Sequence, residues 1–479
     1  MARDGAPVVL HPGLRERLVR ARAVVERAAC GDAPVYGVTT ALGASKDVAV
    51  AAGERAGVQR GVIAGRSVAV GPAMPTDVVR AVLVARAAAM AAGGSGVSPA
   101  VLDALVALLN AGVHPVLPRW GSVGAADLGP LATLALPLIG LGEAELRGDR
   151  LPGAVALERA GITAPALGAK DGLALVSANA VSAGHGALVV ADALAAIDAL
   201  AIAAALSMEG FRANLSPLDP RAQAARPAPG QRDAAARFTA LLAGSPLWEA
   251  GAARSFQDPL SFRCASQIHG AALAAVGHAR ACVEIELNAA GDNPLVVDDG
   301  ILHTGNFHVA ALAQAFDLVA ISLAHLASAA AERTIRLMSP AASGLPYALT
   351  PRGASHTGFA TVQKTITSLV AQMRHLANPG SLDFLPVSEG VEDHATNAPF
   401  TVAKAADAVD RLTYVAAIEL MVAAQAVDLR APGRMGRGAR GAWDTVRRIV
   451  PRLDDDRPPG ADIERLRAAV VAGDLARAV

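Results

Sequence analysis

The sequence predicts a mainly α protein built around a large bundle of long antiparallel helices, and three observations carry that reading. The 479 residues are 53% hydrophobic but only 3% aromatic, so the core must be made of Ala, Leu, Val and Ile. Such side chains favour close-packed helices, because alanine is the best helix former and lets helix axes approach. Second, the stretches 186–208, 267–282, 306–338, 358–376 and 400–428 run Ala-rich and without one proline, which is the signature of long bundle helices. Third, the length allows one large core or two to three packed domains.

In order along the chain, 13–29 places charge on one side and Leu, Val and Ala on the other, an amphipathic helix. Residues 34–38, PVYGV, read as a short ordered segment entering a glycine-containing loop. A helix-rich region over 77–109 is closed by Gly112, Pro115, Pro118 and Gly121. In 186–208, Asp192 and Asp198 interrupt the apolar run, which favours a buried bundle helix over a membrane span. The apolar faces exceed what a monomer buries, so burial between subunits is expected. There is no internal repeat. Arg430, Arg434, Arg437 and Arg440 form a basic cluster, expected to be a solvated loop between subunits answered by Asp454, Asp455 and Asp456.

Forty-three basic and 43 acidic residues cancel, which argues against a general nucleic-acid-binding surface. Three cysteines, at 30, 264 and 282, fit neither a zinc spacing nor a disulfide framework, so no metal and a reducing cytoplasm are expected. The start, MARDGAPVVL, holds no apolar segment long enough for a signal peptide, and no membrane association is expected.

The chemistry-bearing residues stand in separated polar patches: Tyr36 to Gly43, Gly121 to Pro130, Gln257 to Arg263, Asn288 to Pro294, Gly305 to His308, and Glu392 to His394. They supply a phenol, an arginine, a glutamine, asparagines and a carboxylate. An arginine fork suits a carboxylate, and a phenol acts as a base once its neighbours favour the phenolate. Each such residue, taken singly, is more often structural.

The strings YGVTTALG, LLNAGVHPVLPRWGSVGAADLGPLA, KDGLAL, QDPLSFRC, DNPLV, GNFH and EDH, in this order over about 30–460, resemble the histidine/phenylalanine ammonia-lyase family, and histidine ammonia-lyases above all. The resemblance implies a fold with a central bundle of long antiparallel helices and a homotetramer whose active sites combine loops from several subunits. It divides the chain into an N-terminal domain, 1–185, with the tyrosine and electrophile loops, and a bundle and C-terminal helical region, 186–479. It implies elimination of ammonia from an aromatic amino acid, assisted by MIO, a methylidene-imidazolone formed by cyclisation of an internal Ala-Ser-Gly. By the same resemblance Tyr36 is the catalytic base and Arg263 holds the substrate carboxylate. Gln257, Phe307 and Glu392 line the pocket, with Glu392 near the substrate amine.

Departures from the pattern are concentrated around the electrophile. Ala125, Ala126 and Asp127 stand where Ala-Ser-Gly is required, and alanine has no β-leaving group to eliminate. Ser177 replaces an Asn that polarises the MIO carbonyl, Leu260 replaces a Tyr, and Gly65–Arg66 stand at the aromatic-selectivity pair. The expectation is therefore no cofactor and no MIO. Arg66 would then select a dianionic or distally polar amino or hydroxy acid. Three functions follow: a MIO-independent elimination or addition on a small carboxylate-bearing substrate that carries its own activation; a catalytically inactive scaffold or ligand-binding homologue; or a conventional histidine or aromatic amino acid ammonia-lyase whose triplet is masked as an already processed residue.

Overall fold

The structure, a computed structural model, describes residues 1–353, 355–431 and 433–479. Two compact units emerge. The first comprises 1–188, 280–314 and 379–403, and the second 189–279, 315–378 and 404–479. The single cut expected at 185 thus falls close to the first junction, but two later segments return to the first unit. That return is invisible to composition, because four of the five junctions lie inside continuous helices.

All the strands of the described residues belong to the first unit. They form three small antiparallel pieces: Val70–Ala73 with Pro118–Trp120, Val113–Pro115 with Glu143–Leu146 and Asp149–Pro152, and Leu295–Val297 with Gly300–Leu302. The amphipathic segment at 13–29 is the helix Leu14–Cys30. The region expected over 77–109 is two helices, Thr76–Ala91 and Pro99–Ala111. The break is made by Gly93 and Gly96, both with positive φ. A Cβ at Gly96 would stand 2.5 Å from Val25 and 2.6 Å from Val296, so only glycine lets these segments meet. Pro99 then opens the second helix and left-handed Gly112 closes it.

Buried charges fix the segment that leads to the site. The Asp171 carboxylate accepts from the N–H groups of Ser98 and Gly168, each at 2.8 Å, and from Arg22 at 3.1 Å. It thereby anchors the short helix Asp171–Val176, at whose end Ser177 stands. Arg86 ties the same helix, through the Ala174 carbonyl, to Asp292 at 2.9 Å. Burial beside these groups pulls the Lys170 ammonium down to about 8.

The described residues of the second unit form helices joined by loops, with no strand among them. Parts of Ala180–Phe211, Ala310–Leu337 and Ala398–Arg430 converge there on one buried polar cluster. Glu419 accepts from Arg333 at 2.6 and 2.9 Å and from Ser207 at 2.9 Å, and the Arg333–Glu419 side chains are wholly buried. Close approach follows from small residues: a Cβ at Gly210 would lie 2.8 Å from that of Ala426. The segment 171–211 and the helices Ala310–Leu337 and Ala398–Arg430 are long and apolar enough to cross a membrane by length and composition, but most of each is buried inside the protein. Asp198, in the first of these stretches, pairs with Arg237 at 2.7 Å.

The basic cluster finds partners other than those expected. Arg434 pairs with Glu249 at 2.6 Å, Arg430 donates to the carbonyls of Gly210 and Ser343, and Arg440 lies over the Trp443 ring. Asp454 and Asp455 pair instead with Arg452 and Arg352, while Asp456 accepts from the N–H groups of Thr357 and Gly358. The acidic run is spent locally because those partners are its immediate spatial neighbours.

Candidate active site

A cavity of about 1030 Å³ opens within the first unit. Tyr36 reaches it from a tight turn held by the N–H groups of Val38 and Thr39, which donate to the Val35 carbonyl at 3.0 and 2.9 Å. Gly37 has φ +67°, and a Cβ there would strike Leu173 at 2.4 Å, so the residue after the phenol has to be glycine. The Tyr36 phenol oxygen accepts from the Gly43 N–H at 2.9 Å.

The opposing floor is the loop 121–127. Gly121, Gly124 and Ala126 all have positive φ, at 132°, 77° and 56°. Gly124 is boxed in: its carbonyl accepts from Thr396 at 2.8 Å, and a Cβ would stand 2.3 Å from the same hydroxyl. The Ala125 backbone bridges to His308. Below the loop, the Asp127 carboxylate accepts from the Ser182 N–H at 2.9 Å and from the Ser182 hydroxyl at 3.2 Å. Burial pushes Asp127 up to about 6 despite these bonds. Glu286 is raised to about 7 by burial and by the Asp127 charge. Asp127 is wholly buried and supports the floor without lining the cavity, whereas Ala125 and Ala126 line it.

Ser177 and Phe307 also line the cavity, and Asn179 joins their segments by donating to the Phe307 carbonyl at 3.0 Å. Glu392 enters from a turn closed by the Val387 N–H donating to its carbonyl at 3.0 Å. Within that turn Ser388, Glu389 and Gly390 are successively left-handed, at φ 54°, 55° and 83°. The Ser388 hydroxyl donates to Glu392 Oε1 at 3.2 Å. Arg66, the last residue of the helix Arg55–Arg66, lines another part of the wall, and among the described residues its guanidinium has no ion-pair or hydrogen-bond partner.

The structure therefore brings Tyr36, Arg66, Ala125, Ala126, Ser177, Phe307 and Glu392 onto one cavity. It does not place Gln257, Leu260 and Arg263 there, since they belong to the second unit. Gln257 is exposed, Leu260 is 59% exposed at the start of the short helix Leu260–Arg263, and Arg263 is half-buried at its end. Asn293, from the patch Asn288 to Pro294, also lines the cavity, whereas sequence reasoning missed Lys46, His303 and Ser388 as lining residues. For Ser388 the available signal was a hydroxyl four residues before Glu392 in a glycine-containing turn.

The loop gives no fit to a methylidene-imidazolone. Ala126 offers a methyl group where a hydroxyl must be lost. Ser122 is engaged otherwise, accepting from the Gly124 N–H at 3.0 Å and donating to the Ala126 carbonyl at 3.4 Å.

The description Aromatic amino acid lyase fits residues 1–448, most of the chain. The chain belongs to this family. It is 41% identical to a histidine ammonia-lyase of Symbiobacterium thermophilum, over all of this chain and 95% of that one. Among solved structures, the ergothionase of Treponema denticola, an ergothioneine-degrading enzyme seen with desmethyl-ergothioneine sulfonic acid, superposes with a TM-score of 0.95. Its identity is 32%, covering 99% of this chain and 96% of that one. The histidine ammonia-lyase of Trypanosoma cruzi gives a TM-score of 0.92 at 30% identity, covering 99% and 91%. The mainly helical ammonia-lyase fold expected from the sequence is thus the fold of this family member, and its relatives support an ammonia-lyase.

Proposed function

We propose that this family member is a carbon–nitrogen lyase for histidine or a histidine-derived amino acid. The observation that carries the reading is the gathering of Tyr36, Phe307 and Glu392 on one cavity in a chain so similar to histidine ammonia-lyases. As phenolate, Tyr36 would take the β-proton. The C–H electron pair becomes the Cα=Cβ bond, and the nitrogen leaves with the electrons of the C–N bond. Glu392, steadied by Ser388, faces the departing amine. Arg263 would hold the substrate carboxylate from another subunit of a homotetramer in a cytoplasmic setting, as the family resemblance implies.

Release of ammonia from histidine is the conventional form of this reaction, and the names of the curated relatives favour it. Ala126 favours a second form, in which the chain carries no MIO and the substrate brings its own leaving group. Ergothioneine is a trimethylammonium betaine derived from histidine, and a quaternary nitrogen departs as a neutral amine without further activation. Parallel assays on purified protein distinguish the two, with L-histidine followed as urocanate and ergothioneine followed as trimethylamine. Intact mass is read on the same sample. An unmodified mass with turnover of the betaine alone is the outcome expected from Ala126. A two-water deficit within 121–130, with urocanate formed, establishes the conventional enzyme. Turnover of neither, with Tyr36→Phe indistinguishable from the parent in ligand binding, removes the lyase reading.

A further inference from the structure

Two of the ordered strings, GNFH and EDH, end in a histidine that the chemistry at the cavity leaves unused. His308 directly follows Phe307, and His394 stands two residues after Glu392. Neither imidazole lines the cavity, although Phe307 and Glu392 both do. The two rings meet each other instead: His308 Nε2 lies 2.9 Å from His394 Nδ1, with ring centroids 5.0 Å apart and planes tilted by 39°. One ring donates an N–H and the other accepts it, whichever tautomers are present. The Phe384 ring packs on His394 with 4.9 Å between centroids.

The turn that carries Glu392 needs such an anchor. Among the described residues, the hydrogen bonds of 387–392 all run within the turn itself. Two of its residues, Ser388 and Glu389, hold left-handed backbones that relax if the turn is freed. Beyond His394 the chain is next gripped where the Thr396 hydroxyl donates to the Gly124 carbonyl and the Asn397 N–H to the Val123 carbonyl, each at 2.8 Å. The His308–His394 bond is therefore the hydrogen bond nearest in sequence to Glu392 that ties it to another segment. His308 is itself fixed, since its N–H donates to the Gly305 carbonyl at 2.9 Å and its backbone bridges Ala125 in the cavity floor. One bond thus joins three segments of the wall: the floor loop, the Phe307 segment and the Glu392 turn.

We propose that His308 and His394 are paired positioning residues, which hold the Glu392 carboxylate in register with Phe307 and the cavity floor without touching substrate. The proposal rests on the lyase reading. Ser388 sets the carboxylate within its turn, and the histidine pair sets the turn against the rest of the wall. A displacement of a reacting group by about 1 Å costs about a hundredfold in rate. Contacts to substrate made elsewhere on the wall are untouched, so the pair acts on kcat far more than on KM.

The test is turnover by the full-length protein, with L-histidine followed as urocanate and ergothioneine as trimethylamine, beside amide hydrogen exchange read by mass spectrometry. His394→Phe keeps a ring for Phe384 and loses the nitrogen, whereas His394→Asn loses the ring and keeps a polar atom near the place of Nδ1. His394→Phe should lower kcat at least about tenfold, leave KM within about twofold and quicken exchange across 385–393. His394→Asn should regain most of kcat, an order that a merely space-filling role reverses. His308→Leu should reproduce the loss, and combining it with His394→Phe should cost no more than the larger single loss, since both remove one bond. His308→Leu reads that bond from the other ring, so failure of one variant to fold leaves the other decisive. Unchanged kcat in the single variants, additive losses, a poorer His394→Asn than His394→Phe, or lowered kcat with unchanged exchange each overturns the proposal, while the active parent keeps the lyase reading. A parent that turns over neither substrate overturns it together with that reading.

Discussion

Ser388 combines two features that are seldom found together: an unfavourable backbone conformation and a hydrogen bond to Glu392, a candidate catalytic residue. A left-handed non-glycine residue costs about 1–2 kcal/mol, which the turn's backbone hydrogen bonds and the Ser388 hydroxyl together offset. Ser388→Gly relieves the backbone and removes the hydroxyl. It should raise the melting temperature yet lower kcat by about three- to tenfold, the scale of one hydrogen bond. Ser388→Ala should lower kcat equally with no gain in stability. If kcat is unchanged in both, the hydroxyl does not position Glu392. A second residue-scale expectation concerns Glu286, which burial and Asp127 hold at about 7 against an ordinary 4.5. With a raised folded value, the proton is bound more tightly in the native state. The stabilisation is therefore full below about 4.5 and is lost as pH rises through 7. Glu286→Gln keeps a neutral side chain throughout. Its melting temperature relative to the parent should climb steadily between pH 5 and pH 8, and a flat difference would show that Glu286 is not perturbed. His269 runs in the opposite sense. It is buried, with both ring nitrogens unpartnered among the described residues, and is pushed well below its ordinary value by burial and by Arg333. Its contribution is present above about 6.5 and is lost on acidification, so a comparison of parent and variant is needed to isolate Glu286.

Among the elements, the long helices were legible because their runs extend without proline, and the structure moves their ends by at most six residues, shortening 306–338 to Ala310–Leu337 and 358–376 to Val362–Leu376. The stretch read at 400–428 is Ala398–Arg430, and the one at 186–208 is Ala180–Phe211. Over the helix-rich region 77–109 the sequence offers no place for the break between its two helices, because alanine continues to Ala92 on one side and resumes at Ala100 on the other, while the cause lies in Val25 and Val296, far away in sequence. The candidate site divides likewise. Tyr36, Ser177, Phe307 and Glu392 were recognisable from short ordered strings. Ser388 and His303 acquire a role only when a turn or loop brings them to the cavity. No local signal could announce the Arg333–Glu419 pair, since its residues are 86 positions apart. Removing one member, as in Glu419→Leu, leaves a buried charge and should cost about 3–5 kcal/mol in chemical denaturation. The double change Arg333→Met with Glu419→Leu should recover most of that loss. If the double variant is no more stable than Glu419→Leu, the pair is not the source of the penalty.

For the whole molecule, the first expectation is assembly. The lyase reading has Tyr36 and Arg263 meeting across subunits of a homotetramer. Inactive Tyr36→Phe and inactive Arg263→Lys proteins, unfolded together and refolded as a mixture, should then regain a measurable fraction of parental turnover. No recovery, with the tetramer confirmed by sedimentation, would place both residues on the same chain's site. The interleaved chain path has a further consequence, for inheritance. A protein whose two units meet at one peptide bond can trade either by a single genetic exchange. Here each unit is drawn from three separate stretches, and four of the five junctions interrupt a helix in mid-course. A chimera carrying one unit from a relative would need five simultaneous crossovers, four of them keeping a helix in phase. The cavity-bearing unit and the helical unit are thus hard to exchange separately, and point substitution, at positions such as Arg66, Ala126 and Ser177, is the shorter route to new chemistry.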